Sequence, residues 1–158
     1  MIASSQAGLK HGAGRSDSIG TACGHARRGE WLFVPPGQRP PHWDEADAVR
    51  VLHEVSASDQ SDVLIADADG NPVGFCTVYL DILSVRFGQR SWIEDLAVHP
   101  DRRSQSIGRR LMTAAQDWAR ERGATHLELD SGNDRTGAHR FYESRQPASR
   151  SQCFSWTL

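Results

Sequence analysis

The stretch that decides the fold runs from Trp92 to Gly123 and reads WIEDLAVHPDRRSQSIGRRLMTAAQDWARERG. Its first residues form a largely apolar alternating run, which predicts a strand. A His-Pro pair and a polar, arginine-rich turn follow, and an apolar stripe at helical spacing begins at Ser106 or Ile107 and continues to about Arg122. Gly123 is a natural stop for that helix. The stretch therefore predicts a strand, a loop and a helix, with the loop at the helix N-terminus.

The segments around this unit predict a mixed, mostly antiparallel sheet covered by helices. Strands joined by short turns pair antiparallel, whereas the strand–helix–strand unit from Trp92 to Ser131 requires one parallel pair. The sequence thus predicts an α/β fold of the α+β kind. The expected strands are 62–69, 73–87, 91–98, 125–131 and 151–158, and the expected helices are 42–58, 106–122 and 135–145.

Residues 1–42 differ from the rest of the chain. They are rich in Gly, Ser and Ala without a sustained period, and VPPGQRPP at 34–41 contains four prolines, which exclude a helix or a central strand there. Only WLFV at 31–34 has the pattern of a short strand. We therefore expect an irregular or poorly ordered arm at 1–42 and one domain at 43–158.

Composition and charge exclude several classes of partner. The chain has 158 residues, of which 38% are hydrophobic and 24% charged, and a net charge of −2. This charge gives no general attraction to nucleic acid or to an anionic membrane, so we expect neither as a partner. Cys23, Cys76 and Cys153 lack metal-type spacing, which indicates free thiols and no metal site. Because no secretory signal and no apolar run of ~18 residues is found, we expect a cytoplasmic protein.

The loop before the central helix has the features of an anion site. A helix N-terminus carries about half a positive charge and backbone N–H groups without partners, which suit a phosphate. Arginines flank a turn of small polar residues between Arg102 and Arg110. The pattern favours a diphosphate cradle, and the alternative is a solvated loop whose arginines merely face water.

Two motifs in this order resemble the GNAT N-acetyltransferase superfamily. IEDLAVHPDRRSQSIGRRLM, at 93–112, is similar to the acetyl-coenzyme A loop of that superfamily, and AHRFYES, at 138–144, is similar to its later Tyr-bearing helix. The resemblance is to the small-molecule, aminoglycoside-like branch. It implies a sheet whose central parallel strands splay around the cofactor, with helices on both faces, and acetyl-CoA as cosubstrate.

The resemblance also implies a set of cofactor-binding residues. The loop and helix start would wrap the diphosphate, and the strand before the loop would offer its backbone to the pantetheine arm. Asn133 would approach the cofactor, although the family's usual Asn lies seven residues before the Tyr, where this chain has Arg135. The implied residues are Leu96, Ala97, Val98, Arg103, Ser104, Gln105, Ser106, Ile107, Gly108, Arg109 and Asn133.

Acetyl transfer to an amine needs a proton acceptor and a proton donor. Glu94 and Asp95 are adjacent on the expected strand, so strict alternation would direct them to opposite faces. We favour Glu94 as the base because family members most often use an acid at this place, with Asp95 as the second candidate. Tyr142 is the candidate acid that protonates the thiolate. The alternatives are structural roles for both carboxylates and a core position for the tyrosine.

Three departures from the family pattern qualify these expectations. Ser106 stands where the family has Gly, and an L-residue with φ > 0 costs about 1–2 kcal/mol, so we expect a weakened cofactor site. The tail lacks the family's Gly-aromatic turn, and the arm lacks its opening strand. The alternatives are therefore a catalytically weak acyl-CoA-binding or interaction module, and a protein N-acetyltransferase. A homodimer formed through the last strand is a further expectation.

Overall fold

The structure is a computed structural model that describes residues 8–10 and 41–158. It contains a mixed sheet, three helices and one short 3-10 turn at Pro100–Arg102 within those ranges. The candidate strand at 31–34 and most of the expected arm lie outside the described residues. The strands are β1 (Gly8–Lys10), β2 (Ser61–Ala68), β3 (Asn71–Leu80), β4 (Arg90–Val98) and β5 (His126–Leu129), and the helices are α1 (Glu45–Ala57), α2 (Ile107–Glu121) and α3 (Thr136–Glu143).

The sheet has the mixed topology that the sequence predicts. Its described strands lie in the order β1-β2-β3-β4-β5, and each neighbouring pair is antiparallel except β4 and β5, which are parallel. Helix α2 is the crossover that connects β4 to β5, as a parallel pair requires. The expected parallel pair is therefore confirmed, but among the described strands β5 lies at the edge of the sheet and not at its centre. Strand β1 lies within the segment expected to be irregular and pairs with β2.

The sharp turn between β2 and β3 follows from a two-residue Asp-Gly sequence. Asp69 has φ 54 and Gly70 has φ 80. Two successive positive φ values are the signature of a type I′ turn, whose twist matches that of an antiparallel hairpin. The Asp67 carboxylate accepts a hydrogen bond from the Gly70 N–H at 2.9 Å, which fixes the turn.

Helix α2 packs its apolar face on the centre of the sheet. Gly74 on β3 permits this close approach, because a Cβ built there would lie 3.0 Å from both the Ala97 carbonyl oxygen and Ile107 Cγ2. The core thus forms directly beneath the first turn of α2, which fixes the helix N-terminus against the sheet. The buried residues of α2 are Ile107, Leu111, Met112, Ala114, Ala115, Trp118 and Ala119.

The strand predicted at 73–87 is too long, because β3 ends at Leu80. Beyond it the chain folds back on itself: the Ser84 and Gly88 backbones exchange hydrogen bonds of 2.9 and 2.8 Å, and the Gln89 side chain donates to the Asp81 carbonyl at 2.8 Å. This local pairing competes with extension of the strand. Several apolar side chains of this turn are left exposed, among them Ile82, Leu83 and Val85.

The closing strand predicted at 151–158 is wrong. These residues have no regular secondary structure, and Phe154, Trp156 and Leu158 are exposed. The segment has the alternation of a strand, but alternation forms a strand only where a partner edge accepts its backbone hydrogen bonds. No helix in the described part of the chain combines the length and the apolarity needed to cross a bilayer.

Candidate active site

Strand β4 continues beyond the end of β5. Their pairing runs from Arg90 opposite His126 to Ile93 opposite Leu129 and ends there, while β4 continues to Val98. The β5 side of Glu94–Val98 therefore faces an opening rather than a paired strand. The opening lies where the family resemblance implies that the parallel strands separate around the cofactor.

The backbone of β4 directs alternate amides into this opening. The His99 N–H donates to the Val73 carbonyl at 2.9 Å, and the Asp95 N–H donates to Thr77 Oγ1 at 2.9 Å, so both point toward β3. Because successive residues of a strand point their backbone groups to opposite sides, the amides of Leu96 and Val98 point toward β5. The Ala97 N–H instead points toward β3, so this amide is not directed into the opening as those of Leu96 and Val98 are.

The N-terminus of α2 lies at the end of the same strand and has the features of an anion site. The first helical bond runs from the Arg110 N–H to the Ser106 carbonyl at 3.1 Å, and no side chain caps the helix. The amides of Ile107, Gly108 and Arg109 therefore have no acceptor within the helix. Ser106 has φ 60, which is the left-handed conformation that the family's glycine predicts at this position.

The loop residues before Ser106 contribute unequally. Arg103, Ser104 and Gln105 are exposed, and Ser104 also has a positive φ of 63. The Arg103 N–H donates to the Pro100 carbonyl at 3.3 Å. Its amide is thus engaged by the preceding turn, whereas its guanidinium and that of Arg109 stand on the exposed rim of the loop.

Gly108 lies in the first turn of α2, where this helix contacts α3. A Cβ built on it would lie 3.4 Å from Phe141 Cζ and 3.7 Å from Val98 Cγ2. These are ordinary van der Waals distances, so a single Cβ would fit at this position. They show that the first turn of α2, the tyrosine-bearing helix α3 and the end of β4 lie close together.

A bulge in β4 changes the expected directions of the two carboxylates. Ile93 lies opposite Val78 and Leu96 opposite Cys76, so Thr77 alone faces the two residues between them. Cys76 and Val78 share one face of β3, which places Ile93 and Leu96 together on that face. Glu94 and Asp95 therefore both lie on the other side, and the expectation of opposite faces is wrong.

The pKa values of the two carboxyls are raised but by different surroundings. Burial raises the pKa of Glu94, and the nearby carboxylates of Asp95 and Asp130 raise it further. Burial also raises the pKa of Asp95, whereas a hydrogen bond from Thr77 and the charge of Arg135 lower it. Both charges that shift the Glu94 pKa among the described residues are thus negative, while Asp95 has partners that favour its ionised form.

Tyr142 extends from α3 and packs against the core. Its ring meets that of Phe141 edge-on, with 5.3 Å between centroids. Burial raises the pKa of Tyr142, the nearby Cys76 raises it further, and Arg135 lowers it. The phenol consequently keeps its proton at neutral pH, which a general acid requires.

The structure adds two residues that motif reasoning missed. Arg135 precedes α3 at its N-cap position, and its charge acts on both Asp95 and Tyr142. Tyr79 lies two residues beyond Thr77 on the same face of β3, and its pKa is raised first by burial and then by Glu94. Asn133 is exposed in the turn before α3. The spacing to Tyr142 could have indicated Arg135, but Tyr79 carried no motif signal.

The opening fits the chemistry of coenzyme A in three respects. Helix amides without partners suit a diphosphate, and strand amides directed into a gap suit the amides of an extended arm. Ser131, just beyond β5, has a buried hydroxyl for which the described residues provide no hydrogen-bond partner. Among the described residues, no three His, Cys, Asp or Glu side chains converge as metal ligands would.

Sequence comparison decides the family. The sequence model of the acetyltransferase (GNAT) family matches residues 25–146. The chain belongs to the acetyltransferase (GNAT) family. This match extends into the segment at 1–42 that the sequence analysis set apart from the domain.

Relatives within the family align with about half of the chain. Streptothricin acetyltransferase of Streptomyces lavendulae is 42% identical over 76 residues, which are 48% of this chain and 38% of the relative. The uncharacterized N-acetyltransferase YhdJ of Bacillus subtilis is 40% identical over 63 residues, 40% of this chain and 44% of the relative. The aminoalkylphosphonate N-acetyltransferase of Salmonella typhimurium is 33% identical over 78 residues, 49% of this chain and 51% of the relative.

Solved structures share the whole fold at low identity. The aminoglycoside N-acetyltransferase AAC(6')-Iy in complex with CoA superposes with a TM-score of 0.78 and 15% identity, over 100% of this chain and 99% of that one. A transcriptional regulator from Bacillus halodurans C-125 superposes with a TM-score of 0.77 and 20% identity, over 97% and 100%. These likenesses establish the GNAT fold for this chain and leave its substrate to be argued from the site.

Proposed function

We propose that the protein is an acetyl-CoA-dependent N-acetyltransferase that acts on a primary amine of a small molecule by direct attack. The observation that carries the proposal is the meeting of three features at one opening. These are the unpaired edge of β4 with its carboxylates Glu94 and Asp95, the uncapped N-terminus of α2, and Tyr142 on the neighbouring helix α3.

Acetyl-CoA supplies an activated acetyl group when bound. The amides of Ile107, Gly108 and Arg109 would hold its diphosphate, with Arg103 and Arg109 neutralising the rim. Leu96 and Val98 would pair with the pantetheine arm. Ser104, Gln105 and Ser106 would shape the loop around the diphosphate, and Asn133 would approach the cofactor from the turn before α3.

Glu94 is the proton acceptor in this mechanism. A free amine has a pKa near ~10 and is mostly charged at neutral pH, so it must lose a proton before it attacks. The raised pKa of Glu94 makes it a stronger base than an ordinary glutamate. The carboxylates of Asp95 and Asp130 beside it would also attract a cationic amine.

Tyr142 is the proton donor to the departing thiolate. A thiol has a pKa near ~8.5 and a phenol near ~10, so complete proton transfer from the phenol to a free thiolate is uphill. Tyr142 would instead donate a hydrogen bond to the sulfur as negative charge develops on it, and the coenzyme leaves as the thiol. We expect Tyr142→Phe to lower kcat by about a hundredfold or more while leaving coenzyme A affinity unchanged. Steady-state kinetics and calorimetry with coenzyme A measure the two quantities, and a matching loss of affinity would instead assign Tyr142 to packing.

The acceptor class is proposed from the site and from the relatives. The acidic surroundings of Glu94 favour an amine that carries several positive charges, and streptothricin and aminoglycoside acetyltransferases are among the relatives and structural neighbours. We accordingly propose a small polyamine-like or amino-sugar acceptor. A cytoplasmic location and a homodimer remain proposals, of which the homodimer rests on the same family likeness.

One specific observation favours a second candidate function. The strained Ser106 at the helix start leaves open a protein that retains the fold and binds acyl-CoA weakly without efficient turnover. Such a module would bind coenzyme A, and its biological activity would be unchanged when Tyr142 and Glu94 are replaced. A protein N-acetyltransferase would differ in preferring a peptide acceptor.

The deciding experiment has two stages. Isothermal calorimetry with acetyl-CoA and with coenzyme A tests the cofactor site, where we expect micromolar binding. Thiol release from acetyl-CoA is then measured with sisomicin, spermidine, free amino acids and a lysine peptide. Turnover that depends on Glu94 and Tyr142 would support the transferase, binding without turnover would support the weak module, and absence of binding would contradict both.

A further inference from the structure

Thr77 makes two reciprocal hydrogen bonds with Asp95 across the bulge. Its hydroxyl accepts from the Asp95 N–H at 2.9 Å and donates to Asp95 Oδ2 at 3.1 Å. The threonine is 5% exposed, and it is the residue of β3 that lies opposite both carboxylates. One buried hydroxyl therefore fixes both the backbone and the side chain of Asp95.

The two bonds have a definite chemical consequence. A hydroxyl carries a single hydrogen, and since here it points to a carboxylate oxygen, the bond favours the ionised form of Asp95. The hydrogen bond from Thr77 also holds the Asp95 side chain against β3. Glu94, its neighbour on the bulge, is not engaged by Thr77.

The charged surroundings separate the two carboxyls further. Burial raises the pKa of Asp95, and both the bond from Thr77 and the charge of Arg135 at the start of α3 oppose that rise. Glu94 is its neighbour on the same strand, whereas the neutral thiol of Cys76 lies on the opposite face of β3. Glu94 faces Asp95 and also Asp130 at the end of β5. A pair of carboxyls in unlike environments divides its roles, so that one stays ionised while the other exchanges a proton.

We propose that Thr77 is a positioning residue that holds Asp95 ionised and tied to β3, so that Glu94 alone takes the proton of the acceptor amine. The inference deepens the proposed function and rests on it for the catalytic part. The clamp itself is a property of the protein without any ligand. Its two parts are therefore tested separately.

The clamp is tested by titration of carboxyl groups. In protein labelled with ¹³C at the Asp and Glu carboxyls, and assigned with Asp95→Asn and Glu94→Gln, we expect Thr77→Val to move the Asp95 titration to higher pH. Thr77→Ser keeps the hydroxyl and should restore the original titration. Asp95→Asn should move the Glu94 titration to lower pH, because a neighbouring negative charge is lost.

The catalytic part is tested by a double-mutant cycle on the acceptor that gives the fastest thiol release. We expect Thr77→Val to lower kcat roughly tenfold, since it removes a hydrogen bond to a charged group, and to leave the acetyl-CoA Kd within about twofold. Thr77→Ser should stay within about twofold of the original kcat. In the Asp95→Asn background, Thr77→Val should cause no further loss.

The outcomes separate this inference from the proposed function. The clamp is overturned if Thr77→Val leaves the Asp95 titration unchanged, or if Thr77→Ser shifts that titration as much as Thr77→Val does. Either result counts whether or not any acceptor is acetylated. A kcat loss that persists unchanged in the Asp95→Asn background assigns Thr77 to packing and also overturns it. If Thr77→Val does not fold, an unchanged Glu94 titration in Asp95→Asn is the contradicting result.

Discussion

Ser106 starts helix α2 in a conformation that suits glycine. Its φ of 60 costs an L-residue about 1–2 kcal/mol. Glycine would relieve this strain, but part of the gain would be lost because glycine increases the conformational entropy of the unfolded chain. We expect Ser106→Gly to raise the free energy of unfolding by about 0.5–1 kcal/mol and to bind coenzyme A more tightly, because the backbone then approaches the diphosphate without a Cβ. Denaturant unfolding and calorimetry measure the two effects.

Gln146 offers a matched control for that substitution. It also has a positive φ, 52, and it is exposed at the end of α3, outside the diphosphate loop. Gln146→Gly should therefore give a similar gain in stability with no change in coenzyme A affinity. Equal or weaker binding by Ser106→Gly would contradict the steric account of the loop.

Glu94 illustrates how a reactive carboxyl costs stability. Its pKa is raised in the folded state, so the folded protein binds more protons than the unfolded one at pH values between the two pKa values. Stability from this group is therefore present at low pH and is lost as the pH rises through that interval. We expect Glu94→Gln to raise the melting temperature at pH 7 but not at pH 3.5, and an equal gain at both pH values would contradict this origin.

Sequence reasoning reached some residues of the site and missed others for identifiable reasons. The left-handed conformation of Ser106 was predictable, because a motif position reserved for glycine signals a backbone requirement. The bulge at Glu94 and Asp95 was not, because it depends on the register with β3 and a single strand shows only alternation. Tyr79 was missed for the same reason, since cross-strand neighbours carry no spacing signal.

Gly74 decides how closely α2 packs on the sheet. A Cβ there would lie 3.0 Å from the Ala97 carbonyl and from Ile107, so α2 or β4 would have to move. We expect Gly74→Ala to lower the free energy of unfolding by about 1–3 kcal/mol, as overpacking does. Chemical denaturation measures the change.

Gly137 provides the contrasting substitution within a helix. A Cβ built there would come no nearer than 3.9 Å to the flexible guanidinium of Arg140. Gly137→Ala should therefore stabilise α3 by about 0.5–1 kcal/mol through helix propensity alone. If both alanine variants changed stability in the same direction, close packing at Gly74 would not be the cause.

At the scale of elements, periodicity located most helices and strands. Helix α2 was predictable at both ends because a polar loop precedes its apolar stripe and Gly123 follows it. The expected strand at 73–87 overran because Ile82, Leu83 and Val85 continue the apolar pattern beyond Leu80, although local turn hydrogen bonds end the strand. Hydrophobicity alone does not record that competition.

At the scale of the whole molecule, the C-terminal segment 151–158 pairs with no strand among the described residues, although Cys153 forms a hydrogen bond with Asp130. Phe154, Trp156 and Leu158 are exposed, while the nearby ion pair between Arg150 and Glu143 ties the chain to α3. We expect a chain that ends at Arg150 to keep its stability within about 0.5 kcal/mol, since only exposed residues are removed. Thermal unfolding tests this.

The same truncation tests the proposed homodimer. Exposed apolar side chains favour association. If the tail forms the dimer interface, the full chain should sediment as a dimer at high concentration and the shortened chain as a monomer. Substitution of Ile82 by Ser in the other exposed apolar segment serves as the comparison. A dimer that survives truncation would place the interface elsewhere.

The extension of β4 beyond the end of β5 also affects how its amides exchange with solvent. The amides of Leu96 and Val98, directed into the gap, should undergo hydrogen–deuterium exchange faster than those of Asp95 and His99, which donate to β3. Any ligand bound along this edge would slow exchange at Leu96 and Val98. Mass spectrometry of deuterated peptides could thus reveal occupancy before any acceptor is known.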